Sequence, residues 1–162
     1  MATDIFIKLD GIDGESTDDK HKEWIEVLSC SIGASQSGSG TVSSAGNLNT
    51  ARADWSDFSF THYLDLASPK LFEHCATGKT IRKVELHMNR AAGNKEVYQT
   101  FILSDVVVRS ISQSGDQSAD VPHESVALAF AKIEMTYKKY DTAGKNTGTM
   151  PFAYDLRTNQ RA

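Results

Sequence analysis

Five histidines, two cysteines and a serine-rich tract are the residues of this chain with the most chemistry to offer. His21, His62, His74, His87 and His123 are scattered along 162 residues. None stands at a zinc-type spacing from another histidine, cysteine or carboxylate pair, so each reads as a surface or strand-face side chain. His74 and Cys75 are adjacent, which suggests a thiol–imidazole pair, but consecutive helical residues point about 100° apart and do not face each other. Gly78-Lys79-Thr80 has the form of the tail of a phosphate-binding loop. That loop needs a glycine where Glu73 stands, and it opens a helix rather than ending one. Gly38-Ser39-Gly40 carries no G-x-S-x-G elbow. Asp18-Asp19 lies in a charged, hydrated stretch, where nothing raises a carboxyl pKa for acid catalysis. Cys30 and Cys75 are far apart and sit in apolar runs, the pattern of reduced, packed thiols. No catalytic residue, metal ligand or cofactor is expected.

Composition narrows the classes further. Hydrophobic residues make up 40% and charged residues 23%, the balance of a globular chain, and the length suits one domain over residues 1–162. The net charge of -4 comes without a basic stripe, which argues against a nucleic-acid partner. The first residues lack the basic-then-apolar pattern of a signal peptide. No apolar run approaches the ~20 residues of a membrane span. The expectation is a protein made in the cytoplasm, not inserted in membrane, and exported, if at all, without a cleaved leader.

The elements that must position these residues are mostly strands. Ile5–Leu9 is a β-branched opening run. Trp24–Ala34 reads as a second strand, with Leu28, Cys30 and Ile32 on one face and Ser29, Ser31 and Gly33 on the other. That second face is small and polar rather than Lys/Glu-rich. Residues 35–54 form a long extended loop, poor in large apolar side chains, and a loop of that length in a compact domain is usually functional or disordered. Asp57–Thr61 resumes a strand with Phe58 and Phe60 on one face. A helix is marked over about 68–77: Ser68 to cap it, Pro69 in the first turn, Gly78 beyond the last, and Leu71, Phe72, Cys75 and Ala76 as its apolar stripe. Loss of the Ser68 cap should cost ~1 kcal/mol. Strands follow around Val84–Met88, over Val97–Ile111 and after Pro122, with a polar loop over 112–122. Inward parity changes near Ala131, consistent with a β-bulge, and Phe152–Leu156 closes the chain. The pattern is mainly β: a two-sheet barrel or sandwich with one flanking α-helix.

Four segments in order carry a resemblance. They are Ile5–Ser16 (IFIKLDGIDGES), Trp24–Ser29 followed by Ser35–Ser39 (SQSGS), Phe58–Asp65 (FSFTHYLD) leading into Ser68–Leu71, and Tyr154–Asn159 (YDLRTN). Together they span nearly the whole chain and resemble the Hcp (haemolysin-coregulated protein) family of bacterial type VI secretion. The departure is at Cys30 and Ile32, where that family often carries tryptophans. Both replacements stay apolar, so the inward face survives.

The resemblance implies hexameric rings that stack into an inner tube, carry effectors in the lumen, and are propelled from the cell by a contracting sheath. Implied partners are copies of itself, a VgrG-type spike protein, sheath proteins and secreted effectors, with no cofactor and no catalytic residue. It assigns Ser29 and Ser31 to the lumen. It assigns Ser37, Gly38, Ser39, Gly40, Val42, Asn47, Leu48 and Asn49 to a loop that reaches the neighbouring ring. A closed ring would also remove open sheet edges. The residues alone leave two other classes open: a monomeric β-sandwich module binding a glycan or protein, and a hydrolase with a scattered active site.

Overall fold

The computed structural model describes residues 2–36, 52–91, 93–118 and 120–162. Among these described residues twelve strands and one helix follow in the order β1 (Thr3–Leu9), β2 (Ile25–Val27), β3 (Ser29–Ser31), β4 (Ala34–Gln36), β5 (Ala53–Trp55), β6 (Phe58–Tyr63), α1 (Ser68–Thr77), β7 (Ile81–Arg90), β8 (Val97–Ser114), β9 (His123–Ala129), β10 (Lys132–Tyr140), β11 (Asn146–Asp155) and β12 (Gln160–Arg161). The wide sheet runs β12-β11-β10-β8-β7-β1-β2, and a narrower one runs β3-β6-β9-β8. All pairings are antiparallel. The expectation of a mainly β, two-sheet fold with one helix is met as a sandwich. Among the described residues it is not a closed barrel.

Alternation builds the core. One rung crosses the wide sheet through Ile25, Ile7, Leu86, Phe101, Met135 and Phe152, each directly paired with the next. A second passes through Leu9, Val84, Leu103, Ile133 and Tyr154. The narrow sheet answers with Phe58, Phe60, Val126, Leu128 and Val108, all at most 2% exposed. Each large side chain sealed this way contributes about 1.5–3 kcal/mol.

Three corners pass the chain between sheets, and each flips its inward parity. Along β8 the buried positions change from Phe101 and Leu103 to Val106 and Val108, across Asp105 in the left-handed region at φ 51°. The first half of β8 pairs β7 and β10, and the second half pairs β9. The expected single strand over Trp24–Ala34 is broken in the same way. Ile25 and Val27 face the core, Leu28 is 43% exposed at the bend, and Cys30 and Ile32 turn inward again. The parity change near Ala131 is likewise a corner between β9 and β10 rather than a bulge within one strand. The expected polar loop also starts later, because β8 continues to Ser114.

The helix holds its place but not every expected role. Gly78 ends it in the left-handed conformation, its N–H donating to His74 O at 2.9 Å. Ser68 does not cap. Ala67 is the N-cap residue, and the Ser68 hydroxyl accepts from the Asp65 N–H at 3.2 Å while Asp65 Oδ1 accepts from the Ala67 N–H at 2.9 Å. Ser68 already lies within the buried first turn, so its hydroxyl serves the preceding turn. The buried stripe is Ser68, Leu71 and His74 with Cys75 partly covered, whereas Phe72 and Ala76 are exposed. Residues 35–54 are bracketed by a short ladder of β4 and β5, with Ala34, Ser35 and Gln36 facing Trp55, Asp54 and Ala53. Segment 37–51 lies outside the described residues.

Candidate functional site

On a strand whose alternate residues fill a core, the intervening side chains point to the other surface. In the narrow sheet those side chains are nearly all hydroxyls. One row reads Ser29, Thr61, Ser125, Ser112 across β3, β6, β9 and β8, each facing the next. The adjoining row reads Ser31, Ser59, Ala127, Ser110 in the same register. A third, shorter row of Tyr63, His123 and Ser114 closes one end, with the Tyr63 and His123 rings 4.9 Å apart. Together the first two rows floor a trough of about 460 Å³, with Cys30, Phe60 and Val126 beneath the hydroxyls.

The predicted lumen residues Ser29 and Ser31 are both exposed and both belong to this floor. Ser29 and Thr61 share a hydrogen bond of 2.6 Å between their hydroxyls. Ser59, Thr61, Ser110, Ser112 and Ser125 were not expected there. Their signal was the same small-polar alternation, Ser59 and Thr61 between Phe58, Phe60 and His62. The predicted stacking residues Ser37, Gly38, Ser39, Gly40, Val42, Asn47, Leu48 and Asn49 lie outside the described residues.

The floor carries little charge. Beside Ser110 on β8, Arg109 Nε pairs with Asp57 Oδ1 at 3.3 Å, on an arginine 63% exposed. Beneath it Cys30 is a free thiol, like Cys75, and burial pushes the Cys30 thiol up. The two are unpaired. On the core side, His62 and Glu124 are fully buried, with Nε2 and Oε1 2.8 Å apart. Gln113 Nε2 donates to Glu124 Oε2 at 2.7 Å. Burial pushes the nearby Asp65 carboxyl up, against the opposing pull of His62. His62 is thus a strand-face residue that points inward, whereas His21 at 1% and His74 at 8% exposure are buried outside any strand and are not the surface or strand-face residues expected. Among the described residues no group of three or more His, Cys, Asp or Glu side chains could hold a metal ion.

The sequence model described as type VI secretion system effector, Hcp, matches residues 6–137. The chain belongs to the Hcp family. Protein hcp1 of Pseudomonas aeruginosa is 35% identical to it over 164 residues, covering all of both chains. A solved structure described as a type six secretion system protein superposes with a TM-score of 0.94 at 36% identity, over 99% of this chain and 100% of that one. Hcp1 from Salmonella typhimurium superposes with a TM-score of 0.82 at 37% identity, over 100% of both chains. Membership makes this a secreted, structural type VI secretion protein and not an enzyme. In this Hcp chain, among the described residues, no helix is long and apolar enough to cross a membrane.

Proposed function

We propose that this Hcp chain is the subunit of an effector-carrying tube, with the hydroxyl floor facing the lumen. The observation that carries this reading is the pair of hydroxyl rows spanning four strands. A face that only met solvent would carry Lys and Glu. Short hydroxyls leave room and offer many weak hydrogen bonds, each worth only about 0.5–1.5 kcal/mol net. Such a surface holds varied passengers loosely and lets them go.

A second feature supports self-assembly. The rung Val27, Ile5, Met88, Gln99, Tyr137, Met150 crosses the inner face of the wide sheet. Its cover runs out toward β11, since Val27 is 8% exposed but Tyr137 50% and Met150 71%. Leu28, Tyr63 and Leu66 are exposed elsewhere, at 43%, 48% and 70%. Two different apolar surfaces on one chain suit a head-to-tail contact, and such contacts close into rings when the rotation permits. We assign six copies to the ring, stacking to residues 37–49, and the spike and sheath proteins to the tube's tip and outer wall. Secretion then follows sheath contraction, from a cytoplasmic pool.

Electron microscopy of the purified chain tests the reading. Six-fold annular particles are expected, and a strictly monomeric protein at high concentration would refute it. Ser31→Gln is expected to leave rings intact and weaken effector retention. Deleting 37–49 is expected to keep a folded subunit and suppress stacking.

A further inference from the structure

A chain of four side chains on the other side of the molecule has a proton count that neutral rings cannot satisfy. Asp18 Oδ1 lies 2.9 Å from His21 Nδ1, His21 Nε2 lies 2.9 Å from His87 Nδ1, and His87 Nε2 lies 2.9 Å from Glu85 Oε1. Both end groups are ionised. The His21 hydrogen bond foremost, with Lys95, holds Asp18 down at about 2. At Glu85 burial opposes ionisation, but the bonds from His87 and Lys83 outweigh it and lower the pKa. The far oxygens are taken by Lys95 and Lys83, each at 3.2 Å.

Ionised carboxylates only accept hydrogen bonds. His21 Nδ1 and His87 Nε2 must therefore both carry protons. The middle contact needs a third. Two neutral imidazoles supply one N–H each, so the pair must hold one proton more, as a single shared imidazolium. Remove that proton and two bare lone pairs face each other, or one ring changes tautomer and abandons its carboxylate. Add another and two N–H groups collide, on cationic rings whose centroids are 5.1 Å apart.

The surroundings fit one charge. Phe6 stacks on His21 at 4.4 Å with planes 4° apart, and Trp24 meets it edge-on at 4.8 Å. An aromatic face favours a cation. Burial pushes His87 down, against that ring holding the extra proton by itself. Lys138 adds positive potential at His87, whereas Lys20 gives Asp18 only its backbone N–H and its ammonium donates to Asn94 O at 3.2 Å.

We propose that His21 and His87 share one proton that clamps segment 13–24 onto β1 and β7, closing this side of the sandwich most tightly near neutral pH. The clamp loosens in acid, when the second proton enters, and in base, when the shared one leaves. Its two steps belong to the pair rather than to either ring.

Imidazole ¹⁵N spectra of the full chain, recorded across pH, test this. The expected result is that both rings respond together in two separated steps, with three N–H protons between them on the plateau. Two independent titrations near the ordinary ~6.5, or two rings neutral at pH 7, would overturn it. Hydrogen exchange of residues 15–24, corrected for intrinsic rate, gives a second readout. Protection is expected to peak near neutrality and fall on the order of tenfold on either side, the equivalent of about one pKa unit. A flat profile in the parent protein overturns the clamp. His87→Gln, which bonds without titrating, is expected to flatten it, and a bell that persists in this variant counts equally against the clamp.

Discussion

Glu124 is the residue whose removal the structure prices most clearly. Its carboxylate is fully buried, bonded to His62 at 2.8 Å and to Gln113 at 2.7 Å. Glu124→Ala takes away both acceptors and strands His62 Nε2 in a site with 0% exposure. The other ring nitrogen, Nδ1, already lacks a hydrogen bond, its nearest carboxylate being Asp65 Oδ2 at 3.8 Å. Breaking one side of a buried pair costs about 3–5 kcal/mol, a large part of the ~5–15 kcal/mol that holds a domain folded. For a chain of this length that is roughly 6–20 °C in Tm. Glu124→Gln keeps an acceptor for His62 and lets Gln113 turn to accept, so its loss should stay near about 1–2 kcal/mol. Urea denaturation at one fixed protein concentration measures both, since assembly would otherwise shift the midpoint. An alanine variant within about 1 kcal/mol of the parent would show that His62 is satisfied some other way, and the argument from a sealed pair would fail.

Other perturbations follow from the same geometry. Gly14→Ala would put a Cβ 2.6 Å from Trp24 O and 2.8 Å from Ile25 Cα; backbone cannot yield like a side chain, so a loss of about 1–3 kcal/mol is expected in thermal denaturation. Gly78→Ala forces a side chain onto φ 69° at the helix end and should cost about 1 kcal/mol, read the same way. Asp18 titrates at about 2 in the folded chain against 3.8 ordinarily. A depressed carboxyl stabilises above its unfolded pKa and loses that contribution as pH falls through the folded one. The stability gap between parent and Asp18→Asn should therefore narrow from pH 4 to pH 2, as followed by denaturant midpoints.

Alternation made part of the site legible. Ser29 and Ser31 stand between the inward Cys30 and Ile32, so their outward direction could be read from two-residue periodicity alone. The same rule places Phe58 and Phe60 inside, and the complementary Ser59 and Thr61 carry the same signal. What no local pattern shows is which strands lie side by side: Ser29 meets Thr61, 32 positions away, only because the sheet brings them together. The corners were harder. A parity flip near Ala131 has the same signature whether a strand bulges or leaves its sheet, and Asp105 takes its left-handed turn without glycine to announce it. His21, expected on a surface or strand face, is instead buried in a turn, and His62 is a strand-face residue turned inward, for a related reason. Each is buried by a partner 66 or 62 positions distant, beyond any spacing motif. Ser68 failed as a cap because Asp65 starts the turn three residues earlier.

The sharing of β8 between the two layers has a mechanical consequence. In most sandwiches the layers grip each other through side-chain contact, which slips under shear. Here a single unbroken backbone belongs to both, so sliding one layer over the other means tearing strand ladders rather than rolling methyl groups past each other. A subunit woven this way answers shear between its two layers almost as one rigid plate.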